Sequence, residues 1–585
     1  MPTPFLAVRS FVQGQDHVAL ADPDLRVVLD GVLASPSFQQ FLSSMIDAPV
    51  FAMDFGDDFA AQDALDAIAP CRMLRGALNM PLEQVFQLVS QVARAVATSP
   101  EDQVTANAWT VLADRVHAAV DLRQVRLLQY MTSWLPDAAL NRSYADLAER
   151  LIVTNPHAVY PTSAYRECDG RVASSADHRS VEAVMQFSTF ASIRMVDHVL
   201  TVDRTELRDI YRPLGRCICL VDQNVQTHYG DAIAAYFRHH DIAFEPLVYR
   251  AMEADKGLAT VERMLGDFKR LGVSRNEPVL IVGGGVLADT GGLACALYGR
   301  NTPYVMLSTS IVTGIDAGPS PRTCCDGFGY KNLLGAYHPP VLCLTDRFFF
   351  GTLHEGWLRH GVAEIIKMAI VKNAALFDDL EAAQANLVET RFGTIDCAPD
   401  DPIHDLSNRI LGGAMRSYIE AEYDNLYETH QCRPHAYGHT WSPGFEIEAG
   451  LLHGHAVAIC MGLGAYLSHR AGWIDDAAFR RILTLMSGYG LSLWHDILLD
   501  EHVMRESHRK IVQKRGGNLV APVPRGVIGE CGYLNAMSEA ALFEALADYR
   551  TICATYPREG RGIDPLCSDV GLEDPSTVTT HRLQS

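Results

Sequence analysis

The stretch that most constrains this chain runs from Val279 to Val282, an apolar run that meets Gly283-Gly284-Gly285 and then turns helical toward Leu293 and Tyr298. A Val- and Ile-rich run ending in glycines reads as a buried strand. A helix that starts directly behind it leaves its free N–H groups facing a phosphate. Gly283, Gly285 and Ala288 fit the loose dinucleotide pattern, with an ordinary tight turn as the alternative. An α/β nucleotide-binding unit is therefore expected around this point.

At 585 residues and 48% hydrophobic the chain can bury more than one core. Its formal charge of −21, from 70 acidic against 49 basic residues, argues against a partner made of nucleic acid or anionic lipid. An anionic small molecule must then be held by a local cluster of Lys and Arg. The 14 cysteines are scattered, Cys324 and Cys325 are adjacent, and no CxxC pair occurs, which reads as reduced thiols. No basic, apolar leader and no uncharged apolar run of 18 residues is present, so a soluble cytoplasmic protein is expected.

Taken in order, residues 1–170 read as a helical domain of unknown role, with Leu82, Val85, Phe86, Val89, Val92 and Val96 at helical spacing. Residues 155–177 read as a linker, and an α/β domain is expected over 185–350, opening with a hairpin over Met185–Met195 and Asp197–Val202. Cys217–Val221 reads as the first parallel strand. It ends at Asp222-Gln223-Asn224-Val225, where a carboxylate either meets ribose hydroxyls or caps the next helix. Glu253 and Lys256, three apart, read most simply as a surface ion pair. A helical domain follows over 351–555, with Trp357–Val371, Leu406–Glu422, His453–Ala471 and Ala477–Ser487 as its clearest segments, and 556–585 reads as a loose tail.

Further motifs follow the glycines in a fixed order: Leu307-Ser308-Thr309-Ser310, Ile315-Asp316-Ala317-Gly318, Gly329 to His338, Arg359 to Lys367, Ala436 to Pro443, and Leu451 to Val457. Over about residues 185–550 the chain resembles the dehydroquinate synthase superfamily of sugar phosphate cyclases. Its last two segments look like the branch that cyclises sedoheptulose 7-phosphate to 2-epi-5-epi-valiolone. The resemblance implies an α/β NAD-binding domain followed by an all-α metal-binding domain, and a homodimer. It implies one divalent ion, zinc or cobalt, on Glu364, His439 and His453; one carboxylate and two imidazoles leave open positions on such an ion, and His455 is the alternative ligand. Cofactor contacts are implied at Asp222, Asn224, Glu253, Lys256, Gly284, Gly285, Val286, Asp289, Thr309, Ser310, Lys331, Thr352 and Leu353. Lys331, Asn332, Lys367, Asp316 and Arg322 are implied as catalytic, with Asp316, Arg322 and Asn332 also touching substrate. Arg433 and Lys514 are phosphate candidates, as is Arg300 reaching from the second subunit.

The implied chemistry is a transient oxidation by NAD, elimination of phosphate, return of the hydride, ring opening and an intramolecular aldol closure. Two departures matter. Arg322 stands where the family has a lysine, and arginine keeps the charge but cannot serve as a neutral base. Pro443 stands where dehydroquinate synthase has a second histidine, and no lysine lies between Lys372 and Lys510 to hold that enzyme's substrate carboxylate. The alternatives are a 2-epi-valiolone synthase, dehydroquinate synthase itself, a metal-dependent alcohol dehydrogenase and a non-catalytic scaffold.

Overall fold

A computed structural model describes residues 166–174, 179, 181–189 and 191–572, apart from 276, 329, 424, 428–431, 516 and 536. The helical domain expected over 1–170 lies outside these residues except for its last five. Those five begin strand β1, Arg166–Ser174, which pairs antiparallel with β2, Val181–Thr189. The expected linker thus contains a strand, and the hairpin is β1–β2 rather than 185–202. Ser192–Val196 instead forms β3, an edge strand of the main sheet, and residues 197–203 form bends and turns.

The main sheet has six strands, all parallel: β3, β4 (Arg216–Asp222), β5 (Ala243–Tyr249), β6 (Val279–Gly283), β7 (Tyr304–Ser308) and β10 (Leu342–Asp346). Every residue of β6, β7 and β10 is buried, and their apolar runs give way to Ser308, Thr345 and Asp346 only at the carboxyl ends. Alternate residues of β6 enter different cores. Leu280 and Val282 pack with helix α1 (Gln223–His239), whereas Val279 and Ile281 pack with α2 (Leu258–Arg270) and α3 (Gly285–Leu297). The spatial order is β3-β10-β7-β6-β4-β5. From β4 the chain steps out to β5 and returns to β6 on the other side, so the crevice between β4 and β6 is the point where the winding reverses. Ligands bind at such points in open parallel sheets. A separate hairpin of β8 (Arg322–Gly327) and β9 (Tyr330–Tyr337) leads from the sheet toward the second half of the chain.

That half is helical, as expected, and is built on α4 (Glu355–Lys372), which is buried at 14 of its 18 positions. Around it lie α5 (Ile403–Tyr423), α6 (His453–Arg470), α7 (Asp476–Gly488), α8 (Glu501–Lys514) and α9 (Glu539–Cys553), with one hairpin, β11 (Ala521–Arg525) and β12 (Val527–Leu534). Residues 557–572, expected as the start of a loose tail, are folded onto this domain: Leu452 N donates to Pro565 O, Cys567 N to Gly450 O, and Arg359 pairs with Asp564 at 2.8 Å. No helix among the described residues is long and apolar enough to cross a membrane.

Candidate active site

Helix α4 carries Glu364 and Lys367 one turn apart on a helix that is buried on nearly every side, so both charges lie in the core. They answer each other: Lys367 Nζ lies 2.5 Å from Glu364 Oε2, which also accepts a hydrogen bond from Tyr418 Oη at 2.5 Å. Helix α6 crosses α4 at Gly454, where a Cβ would stand 2.4 Å from His360 O. Only glycine permits that approach, and it brings His453 against Glu364. Glu364 Oε1 is 3.3 Å from His453 Nε2 and 3.8 Å from His439 Nε2, and the two imidazole nitrogens are 3.2 Å apart. Oε1 itself is buried and has no hydrogen-bond partner. Three lone-pair atoms converging on one point, with one of them orphaned, fit a divalent cation better than any arrangement among themselves.

The groups behind them point the same way. His439 Nδ1 faces Tyr437 O at 3.1 Å and His453 Nδ1 faces Glu446 Oε2 at 2.7 Å, so both rings present Nε2 to the centre. Burial, then Lys367, pushes His439 down to about 3 and keeps it neutral. Burial also disfavours a charge on His453, but Glu446 and Glu364 outweigh it and raise this group to about 10. Glu364 is itself held well below the carboxylate range by Lys367 and the two histidines, against the opposing effect of burial. His455, the alternative ligand, is wholly buried, and its Nδ1 bonds Ser492 Oγ at 2.9 Å, so it is not part of this group.

At the carboxyl edge of the sheet, the β4–β6 crevice is lined by the glycine turn and by the loop after β7. A Cβ on Gly284 would stand 3.8 Å from Ser310 Oγ and 3.9 Å from Thr313 Oγ1, and one on Gly285 3.8 Å from Ala317. Any side chain there would fill space over the N-terminus of α3 where a phosphate can sit. Asp222 closes the other wall, where its Oδ1 caps α1 by accepting from Asn224 N and Val225 N. Asp222 thus serves as the cap, one of the two roles read for it.

Glu253 and Lys256 do not form the simple pair their spacing suggested. Buried Lys256 reaches Asp289 at 2.6 Å and Asn332 Oδ1 at 2.6 Å, while Glu253 pairs with Lys331 at 3.1 Å. Lys331 also bonds Glu446 at 3.0 Å, which links the sheet domain to the Glu364–His439–His453 cluster. Asn332 adopts φ +54°, with its N–H given to Asp326 Oδ1 at 2.9 Å. Asp316 sits in a π-helical turn, Thr313–Ala317, and burial raises its carboxyl to about 6, only partly offset by Lys367 and Arg322. Arg322 is clamped by Glu422 through Nε, with Nη2 3.8 Å from Asp316.

Thr309 is buried and Ser310 half-buried beside the glycine turn, with Val286 in the first turn of α3. Thr352 bonds Tyr229 Oη at 3.1 Å and Leu353 ends the turn after β10. Arg300 lies in an exposed left-handed turn after α3, Arg433 is half-buried, and Lys514 is exposed at the end of α8. Glu446, Glu422 and Tyr418 were not singled out from sequence. Only Glu446 left a signal there, lying seven residues from each histidine of the triad.

The model of the 3-dehydroquinate synthase N-terminal family matches residues 246–360 and that of its C-terminal family 361–510. The chain is 37% identical over 371 residues to the demethyl-4-deoxygadusol synthase of Trichormus variabilis, covering 63% of this chain and 90% of the relative. It is 37% identical over 360 residues to a 2-epi-5-epi-valiolone synthase of Actinoplanes sp., covering 60% and 88%. Its fold is similar to that of ValA, the 2-epi-5-epi-valiolone synthase of Streptomyces hygroscopicus subsp. jinggangensis, solved with NAD+ and Zn2+ bound, at TM-score 0.58 and 34% identity over 62% of this chain and 98% of that one.

Proposed function

The chain belongs to the dehydroquinate synthase superfamily of sugar phosphate cyclases, and from that premise we propose that it converts sedoheptulose 7-phosphate into a seven-carbon carbocycle with release of phosphate. The observation that carries this reading is the convergence of Glu364 Oε1 with the Nε2 atoms of His439 and His453 beside the Lys331–Glu446 pair. When bound, NAD would take a hydride from the sugar and give it back, while a divalent ion would polarise the hydroxyl on the carbon being oxidised.

The residues of the chain then have distinct tasks. Glu364, His439 and His453 hold the ion. The glycine turn at Gly284 and Gly285, with Ser310, receives the pyrophosphate, and Lys256 fixes Asp289 and Asn332 at the same wall. Lys331, cationic between Glu253 and Glu446, stands where nicotinamide and substrate meet. Asp316, a weak acid at about 6, binds a substrate hydroxyl. Oxidation acidifies the neighbouring C–H; its proton passes to the departing phosphate as the C–O bond breaks. Arg322 is already matched by Glu422, so it shapes the wall and does not act as a base. Arg433 and Lys514 are read as phosphate contacts, with Arg300 supplied across a homodimer. Holding the opened chain in one pose makes the final aldol unimolecular.

The product we favour is 2-epi-5-epi-valiolone. A second reading, demethyl-4-deoxygadusol, is favoured by the longer match to the Trichormus variabilis relative. The test is incubation with sedoheptulose 7-phosphate, NAD and zinc or cobalt, followed by NMR of the carbocycle. The carboxylated sugar phosphate used by dehydroquinate synthase should be refused, because a buried carboxylate without its lysine costs several kcal/mol, or more than about a hundredfold in rate. Dehydroquinate from that sugar, with nothing from sedoheptulose 7-phosphate, would overturn the reading.

A further inference from the structure

We propose that Glu446 is a positioning residue that sets the metal affinity of the site through His453. The inference rests on the metal reading above. Glu446 is 7% exposed and follows the short helix Ser442–Phe445, and each of its oxygens has one cationic or N–H partner: Oε2 lies 2.7 Å from His453 Nδ1 and Oε1 lies 3.0 Å from Lys331 Nζ.

An imidazole that gives its Nε2 lone pair to a metal must keep its hydrogen on Nδ1. A carboxylate accepting that hydrogen fixes the tautomer and ring plane and makes Nε2 a stronger donor. The two histidines of the triad are backed unequally in this respect. His439 Nδ1 faces a neutral backbone carbonyl, Tyr437 O, at 3.1 Å, whereas His453 Nδ1 faces the charged Glu446 at a shorter distance. Backbone support survives any substitution, but the support of His453 does not. Glu446 also closes a chain of alternating charge, Glu253–Lys331–Glu446–His453, that crosses from the sheet domain to the helical domain. A residue that only glued the two domains would act through Lys331, and one that positions the ligand acts through His453.

The two roles separate by experiment. Wild type, Glu446→Gln and Glu253→Gln are titrated with Zn2+ against a chromophoric chelator, and their Co2+ forms are compared by visible absorption, with circular dichroism and thermal melting as checks on the fold. Glu446→Gln should weaken metal binding by about 10- to 100-fold and shift the Co2+ bands as the His453 ring loses its anchor. Glu253→Gln, which loosens Lys331 without touching His453, should stay within about twofold of wild type on the same reasoning. Should Glu446→Gln fail to fold, Glu446→Asp, which keeps the charge with a shorter reach, should show an intermediate loss. Equal weakening by the Glu253 and Glu446 variants, or wild-type affinity and spectrum in Glu446→Gln, would overturn the proposal. Absence of metal binding by wild type would instead refute the metal reading on which it rests.

Discussion

Asp316 offers a test in which structure alone dictates the sign. Its carboxyl is raised to about 6 by burial, with Lys367 and Arg322 only partly compensating, against about 3.9 in an unfolded chain. The folded protein therefore retains between pH 4 and 6 a proton that the unfolded chain gives up. Stability falls as pH rises through that window, and the penalty is fully present above about pH 6. That difference corresponds to about 3 kcal/mol. Since 24% of the side chain stays exposed to solvent, ~2 kcal/mol is the better figure. Asp316→Asn mimics the protonated form. The ligand-free variant should be more stable than wild type by ~2 kcal/mol at pH 8, about 2 °C in a chain of this size, and indistinguishable from it near pH 4. Thermal melts of both proteins across pH 4 to 8, free of NAD and metal, read this directly. The same variant should lose activity, because the strained acid is the one assigned to the substrate. A variant less stable than wild type at pH 8 would mean that the attraction of Lys367 and Arg322 outweighs desolvation, and the reasoning would fail.

Lys367→Met should destabilise the metal-free protein by ~3 kcal/mol, because it strands the buried Glu364 charge, and Zn2+ should restore part of the loss by replacing the cation; denaturant midpoints with and without zinc measure this. Chelation should abolish turnover and added divalent ion restore it, and His439→Ala should fail to recover, as followed by phosphate release. Arg322→Lys gives up the Nε contact to Glu422 and should alter product ratio or rate by NMR, whereas an unchanged profile would show that the wall does not steer ring closure.

How much could be read from the residues depended on whether one local signal outweighed the rest. The β6 run was legible because a strand buried on both faces has no polar positions; α5 and α7 were legible because their apolar residues repeat at helical spacing, and α4 and α6, buried on nearly every side, because their runs are too long for a strand. The segment around 185–202 misled because its apolar residues alternate in two short pieces. The partner of the first, β1, lies in a stretch rich in polar and turn-forming residues, and the second joins a parallel sheet through β10, about 150 residues away in sequence. Residues 557–572 looked loose because they have no periodicity. They are held by backbone bonds to the loop before α6 and by Arg359, neither of which leaves a trace in composition. The triad residues stood out through their motifs, but Tyr418, Glu422 and Glu446 act only through contacts made across the fold, and Asp222 showed its capping role only once α1 was in place.

The most direct test of the cyclase reading is a single reaction in which inorganic phosphate and NADH absorbance are followed together, with sedoheptulose 7-phosphate, catalytic NAD and Zn2+. Hydride that leaves and returns within one site predicts one phosphate per sugar consumed, over many turnovers per NAD, with no lasting NADH signal. NADH accumulating in step with sugar consumption, or sugar consumed without phosphate release, would contradict it.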